Sequence, residues 1–137
     1  MRTALLLTLC FAAGAARAAE TLERPVLDGE WVPLSKTGEA VTGPLRLTGT
    51  ALAFEAGEPL ALESVETGPQ GTLYRATAPR PVVLKNGNSV CPGAVTWLRV
   101  TPQAGGDGAF AFFETTDRPT EKDRGQCLWG VYTKRQQ

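Results

Sequence analysis

The chain of 137 residues contains no histidine and no isoleucine, a single methionine and three cysteines. Without histidine there is no Ser-His-Asp or Cys-His nucleophile, no imidazole acid or base, and no His-containing zinc or haem site. Charge of one sign is also missing: 14 Lys+Arg stand against 14 Asp+Glu. That balance gives no electrostatic ground for DNA, RNA or an anionic membrane as partner. There is no Gly-rich phosphate loop, no basic groove interleaved with aromatics, and no internal repeat or low-complexity segment. The excess of arginine over lysine, with the Ala and Gly richness, reads as nucleotide bias. A chain of this length supports one compact domain with a modest core.

What is present begins with an export pattern. Arg2 precedes an apolar run from Ala4 to Ala13, and Ala16-Arg17-Ala18 places small residues where signal peptidase cuts. Residues 1–18 are therefore expected to be a signal peptide, and 19–137 a single β domain with a loose leader over 19–27. The run is well short of the roughly 20 residues that span a bilayer. Cys10 follows Leu9 inside the apolar run, which does not fit lipid attachment. No second long apolar run follows, so the expected product is periplasmic or secreted, with no transmembrane segment. Cleavage removes Arg2 and Arg17, leaving 12 basic against 14 acidic residues. It also removes Met1 and Cys10, so Cys91 and Cys127 remain. In an oxidising compartment that pair reads as a disulfide. The closed loop of about 37 residues is worth roughly 4 kcal/mol by chain entropy. No Cys-x-x-Cys and no cluster of partner ligands points to a metal or cofactor.

After the leader, no window keeps helical spacing without a Gly or Pro breaking it. Short alternating apolar runs recur instead, separated by turn residues, which is the rhythm of an all-β fold: an antiparallel barrel or sandwich of about eight strands. Trp31-Val32 stops at Pro33, and Pro44–Thr48 alternates strictly, as does Ala51–Glu55. In that hairpin Leu45, Leu47, Leu52 and Phe54 face a core while Arg46 and Glu55 face water. Further strands are expected at 60–65, 72–77, 82–84, 95–100, 109–115 and 127–132, with a tail at 134–137. Pro79 and Pro81 forbid central pairing around Arg80. Barrel closure would join the first and last strands and pair Trp31 with Trp129.

Candidate chemistry is sparse. Glu114 follows Phe113 on the most apolar strand, where a carboxyl pKa can rise; as a strand-edge residue it is simply solvated. Glu63 and Glu66 read as outward positions, and no carboxylate pair has glycosidase spacing. Ser35-Lys36 and Ser64 lack an activating partner, so no catalytic residue is assigned. The stretch Asn86-Gly87-Asn88-Ser89-Val90-Cys91-Pro92-Gly93 reads as a constrained recognition loop or as turn chemistry beside a staple. The charged loop 117–126 is a second candidate. Asn86, Asn88, Ser89, Arg118, Lys122 and Arg124 are the candidate binding residues, for an envelope protein or a small ligand. Phe110, Phe112, Phe113, Trp97 and Trp129 form either the core or the lining of a ligand cavity.

Gly29-Glu30-Trp31, Leu84–Cys91 and Cys127-Leu128-Trp129-Gly130-Val131-Tyr132 together resemble a group of small exported proteobacterial β proteins of unknown function, which brings no activity with it. Tyr132-Thr133-Lys134 carries a more distant likeness to periplasmic c-type-lysozyme inhibitors, small disulfide-tied β-barrels. Arg135 stands where those proteins carry glycine, and the chain has no Ser-Gly-x-x-x-Tyr loop. The expectation is a non-enzymatic exported binding module. The alternatives are an inhibitor of a lysozyme-like or other hydrolase, and a carrier of a small apolar ligand.

Overall fold

A computed structural model describes residues 27–120 and 125–136. Residues 1–18, expected to be a signal peptide, and all of the expected leader except Leu27 lie outside the described residues, as do Lys122 and Arg124. Eight antiparallel strands form a closed barrel in sequence order: β1 (Gly29–Pro33), β2 (Leu45–Leu47), β3 (Ala51–Ala53), β4 (Leu60–Gly68), β5 (Gly71–Arg80), β6 (Val95–Pro102), β7 (Asp107–Phe113) and β8 (Gln126–Lys134). The β2–β3 hairpin follows its alternation: Leu45, Leu47, Leu52 and Phe54 are buried, and Arg46 and Glu55 are exposed.

Closure is made by β1 against β8, with Trp31 opposite Lys134 and Pro33 opposite Tyr132. The expected partnership of Trp31 with Trp129 does not occur. Trp31 points inward and packs edge-on against Phe110, with ring centroids 5.3 Å apart, and Phe110 meets Tyr132 at 4.9 Å in the same manner. Trp129 lies on the opposite face of β8, opposite Ala111, and is 56% exposed. The reason is parity: side chains alternate along a strand, and Trp129 is three residues from the inward Tyr132. Two glycines make room for the rings. A Cβ on Gly108 would sit 2.9 Å from the Trp31 ring, and one on Gly130 would sit 3.2 Å from that of Tyr132. The polar atoms of the stack are satisfied: Trp31 Nε1 donates to the Leu27 carbonyl at 2.9 Å, and the Tyr132 and Thr42 hydroxyls bond at 2.8 Å. Leu27 is therefore part of the fold, not loose leader. Lys134 likewise belongs to β8 and not to a tail, and the Arg135 N–H bonds the Glu30 carbonyl at 2.8 Å.

Three further expectations are corrected. The described residues include an α-helix, α1 (Lys36–Val41), started by Ser35, whose hydroxyl accepts the Gly38 N–H at 2.9 Å. Six residues with a glycine inside are too few to show periodicity. Val82–Leu84 is not a strand; its only ladder contact among the described residues is the single bridge Val83–Ser89. Finally, β5 runs through Pro79, although its pairing to β6 skips from Arg75 to Arg80, so the proline occupies no ladder position on that side.

The expected aromatic set is divided three ways. Phe110 and Phe112 fill the interior, Trp129 is exposed, and Trp97 and Phe113 are buried outside the barrel with Leu73 and Ala111. This outer cluster is covered by the segment after β7. Pro119 is buried there, its carbonyl accepts from Arg99 Nη2 at 3.3 Å, and the Arg99 guanidinium lies 5.8 Å from the Phe113 ring centre. Arg118 reaches on to an ion pair with Glu66 of β4.

Trp31→Ala is expected to lose ~3–5 kcal/mol of stability, while Trp129→Ala changes it by less than ~1 kcal/mol; urea unfolding of the two variants checks both. Burial pushes the Tyr74 hydroxyl up to about 12 from its ordinary 10.0, with the Asp28 carboxylate adding to the rise. The folded state therefore holds this proton where the unfolded chain releases it, so the stabilisation is intact below pH 10 and is lost as pH rises towards 12. Tyr74→Phe is expected to flatten that alkaline loss, measured as thermal midpoint against pH.

Candidate functional site

Antiparallel alternation sorts the connections by end. Those at 34–44, 54–59, 81–94 and 114–125 leave one end of the barrel, and the short turns at 48–50, 69–70 and 103–106 leave the other. Both candidate recognition loops are thus at the same end. The first is bonded covalently to the strand that follows the second, Cys91 to Cys127 at the start of β8, with Cα atoms 5.2 Å apart. Glu114 joins the two loops: its Oε2 accepts the Gly93 N–H at 3.0 Å. Glu114 is exposed, so its carboxylate serves as a tie between loops.

The 81–94 loop has a buried base and an exposed tip. Val82, Leu84, Val90 and Cys91 are each at most 5% exposed and belong to the main core, whereas Lys85 through Ser89 are exposed. Val82 and Leu84 point inward and Val83 outward, although the run is apolar throughout, and only one bridge forms. The tip is held by its own backbone: Leu84 N–H bonds the Asn88 carbonyl at 2.7 Å, and Gly87 N–H bonds the Leu84 carbonyl at 2.9 Å. Asn86 Oδ1 accepts the Asn88 N–H at 3.0 Å, an Asx turn, with Gly87 at φ 84° where a side chain would be strained. Lys85 pairs with Glu55 at 3.0 Å, tying the tip to the β3–β4 connection. Asn86, Asn88 and Ser89 therefore stand together on one fixed projection. Arg118 is separate from them, because its guanidinium is engaged by Glu66 on β4. Lys122 and Arg124 lie outside the described residues.

At this end Lys85 pairs with Glu55, the Arg80 guanidinium donates to the Glu58 and Pro59 carbonyls, and the Glu114 carboxylate accepts from Gly93. Among the described residues no group of three His, Cys, Asp or Glu is placed to hold a metal. No described helix is long and apolar enough to cross a membrane. The two tyrosine hydroxyls with raised pKa, Tyr74 and Tyr132, are buried; for Tyr132 desolvation dominates and the Thr42 hydrogen bond opposes it. Both are held protonated at neutral pH.

Residues outside the expected set also matter. Leu73, Trp97 and Phe113 build the outer cluster, and adjacent large apolar pairs signal it: Leu73-Tyr74, Trp97-Leu98 and Phe112-Phe113 each send one side chain to each face. Compared with protein families, curated proteins and solved structures, the chain finds no match.

Replacing Cys91 and Cys127 together with Ser is expected to lose ~4 kcal/mol, from a separation of 36 residues. Amide hydrogen exchange should quicken more across 82–93 than in β6 and β7, since the staple restrains the loop while ladders restrain the strands.

Proposed function

We propose that this chain is a non-enzymatic exported protein of the cell envelope that binds a protein partner through the stapled end of its barrel. The observation that carries the reading is the 81–94 projection, whose tip is exposed while its base is part of the core. A loop ordered before binding gives up little conformational entropy on association, which favours a tight and selective contact. Its convex shape suits insertion into a concave surface, so inhibition of an envelope hydrolase is the form of binding that best uses it. The tip offers amide, hydroxyl and backbone groups from Asn86 to Ser89 beside the exposed Val83, 54% accessible, a polar set with one apolar contact.

Export is supported by the signal-peptide pattern of residues 1–18 and by a disulfide, which persists in oxidising compartments. A non-catalytic role is supported by a sequence without histidine and by carboxylates engaged in ties such as Glu114 to Gly93. The interior is occupied by Phe110, Phe112, Trp31 and Tyr132, which favours a binding surface over a carried ligand.

A photo-crosslinking amino acid placed at Asn88 is expected to capture a discrete envelope protein in the native host. The same probe on an outward residue of β4, Ala61, should capture none. Asn88→Arg, which crowds the tip without touching the core, should abolish co-purification of that partner. Equal capture from both positions, or from neither, contradicts the reading.

A further inference from the structure

The outer face of the barrel carries one exposed tryptophan, and its surroundings are ordered for a ligand. Register places Glu66, Leu73, Arg99, Ala111 and Trp129 in a single row across β4 to β8. Directly opposed residues share a face, so Trp129 stands on the same side as Ala111 and, one row on, Ala109. These two alanines are small and buried, and the exposed indole stands beside them. The Pro69–Gln70 turn between β4 and β5 forms the opposing margin, completing a hollow of about 490 Å³. That turn is pinned by close backbone approach: Gly71, at φ 102°, would put a Cβ 2.0 Å from the Val100 carbonyl oxygen, so nothing larger fits. A second cleft of about 290 Å³ adjoins the first, sharing Pro69, Gln70 and Arg99, so the depression is elongated.

The hollow beside Trp129 combines one aromatic face with planar hydrogen-bonding groups. Gln70 and Gln126 supply amides, Arg99 a guanidinium and Thr101 a hydroxyl, and the adjoining cleft adds the Glu66 carboxylate, which Arg118 pairs. Arg99 is already oriented by the Pro119 carbonyl and the Phe113 ring. A ligand matched to this set has a flat C–H face to lie on the indole and a rim of hydroxyls for amides and guanidinium, and it needs no charge of its own, because Arg99 and Glu66 of opposite sign both line the depression. Those are the properties of a pyranose ring. The geometry points to a saccharide site at Trp129, taking an extended glycan of neutral hexose or N-acetylhexosamine units. The elongated depression accommodates more than one ring, and amide-bearing sugars complement Gln70 and Gln126. An indole left 56% exposed against small neighbours is an open stacking surface. The volume lies in the range of roughly 300–1,000 Å³ usual for small-ligand clefts.

This site uses residues distinct from the stapled loops and stands independently of them. The test is ¹H–¹⁵N NMR titration of the exported chain, disulfide intact, with chitotetraose and, separately, cellotetraose. The Trp129 indole signal, identified by its loss in Trp129→Phe, is expected to move in a saturable manner with at least one sugar. The backbone signals of Ala109, Ala111 and Gln70 should move with it, while the buried Trp31 indole stays fixed. Trp129→Ala should weaken binding by about tenfold or more, Gln70→Ala by less, and Asn88→Arg not at all. Binding that survives Trp129→Ala unchanged overturns the proposal, as does a Trp129 signal that neither sugar moves. A Trp129 signal that moves on dilution alone, with no response to sugar, assigns the surface to self-association and equally overturns it.

Discussion

The contact of Trp31 with Phe110, and of Phe110 with Tyr132, is the interaction on which the barrel rests. These three rings come from β1, β7 and β8, the strands that meet where the sheet closes. β1 is five residues long and β2 and β3 only three each, so ladder hydrogen bonds alone hold that side weakly. Edge-to-face packing between rings adds to the burial of large apolar area. The packing is eased by Gly108 and Gly130, where a Cβ would crowd the Trp31 and Tyr132 rings. The hydroxyl of Tyr132 then reaches Thr42 beyond α1, and the indole of Trp31 reaches Leu27, so the same stack fixes both flanking segments.

A closed barrel in sequence order has a geometric consequence for function. Alternate connections must emerge at the same end, and the longer ones do so here. The Glu114 to Gly93 bond then ties two of those connections to each other, and the disulfide ties the first of them to β8. The other long strands carry a second apolar layer on the outside, where Leu73, Trp97 and Phe113 are buried under the segment reaching Pro119. The barrel is thus sealed within and partly clad without. Among the described residues Trp129 is left exposed beside the buried Ala109 and Ala111 of β7.

Much of this was legible from residue order. Alternation identified the β2–β3 hairpin down to the side each residue faces, and the cysteine count identified Cys91 and Cys127 as the bridge. Asn86-Gly87-Asn88 was legible as a positive-φ turn because only a few residue types tolerate that backbone. The helix at 36–41 was not, since one and a half turns carry no period. The pairing of tryptophans also misled, because closure of first against last strand says nothing of register. A shift of one residue moves every side chain to the other face, and the bulge beside Cys127 is such a shift.

The sequence by itself determined the all-β class, the staple and the exclusion of imidazole chemistry, because each rests on composition or on alternation within short runs of chain. Only the tertiary structure decided which of two adjacent aromatics points inward, that Trp97 and Phe113 are buried outside the barrel, and that Trp129 is not. Those outcomes depend on the register between strands and on where a distant segment folds back over them. Neither quantity is encoded in any local window: Arg118 meets Glu66 across 52 positions of chain, and Tyr132 meets Thr42 across 90.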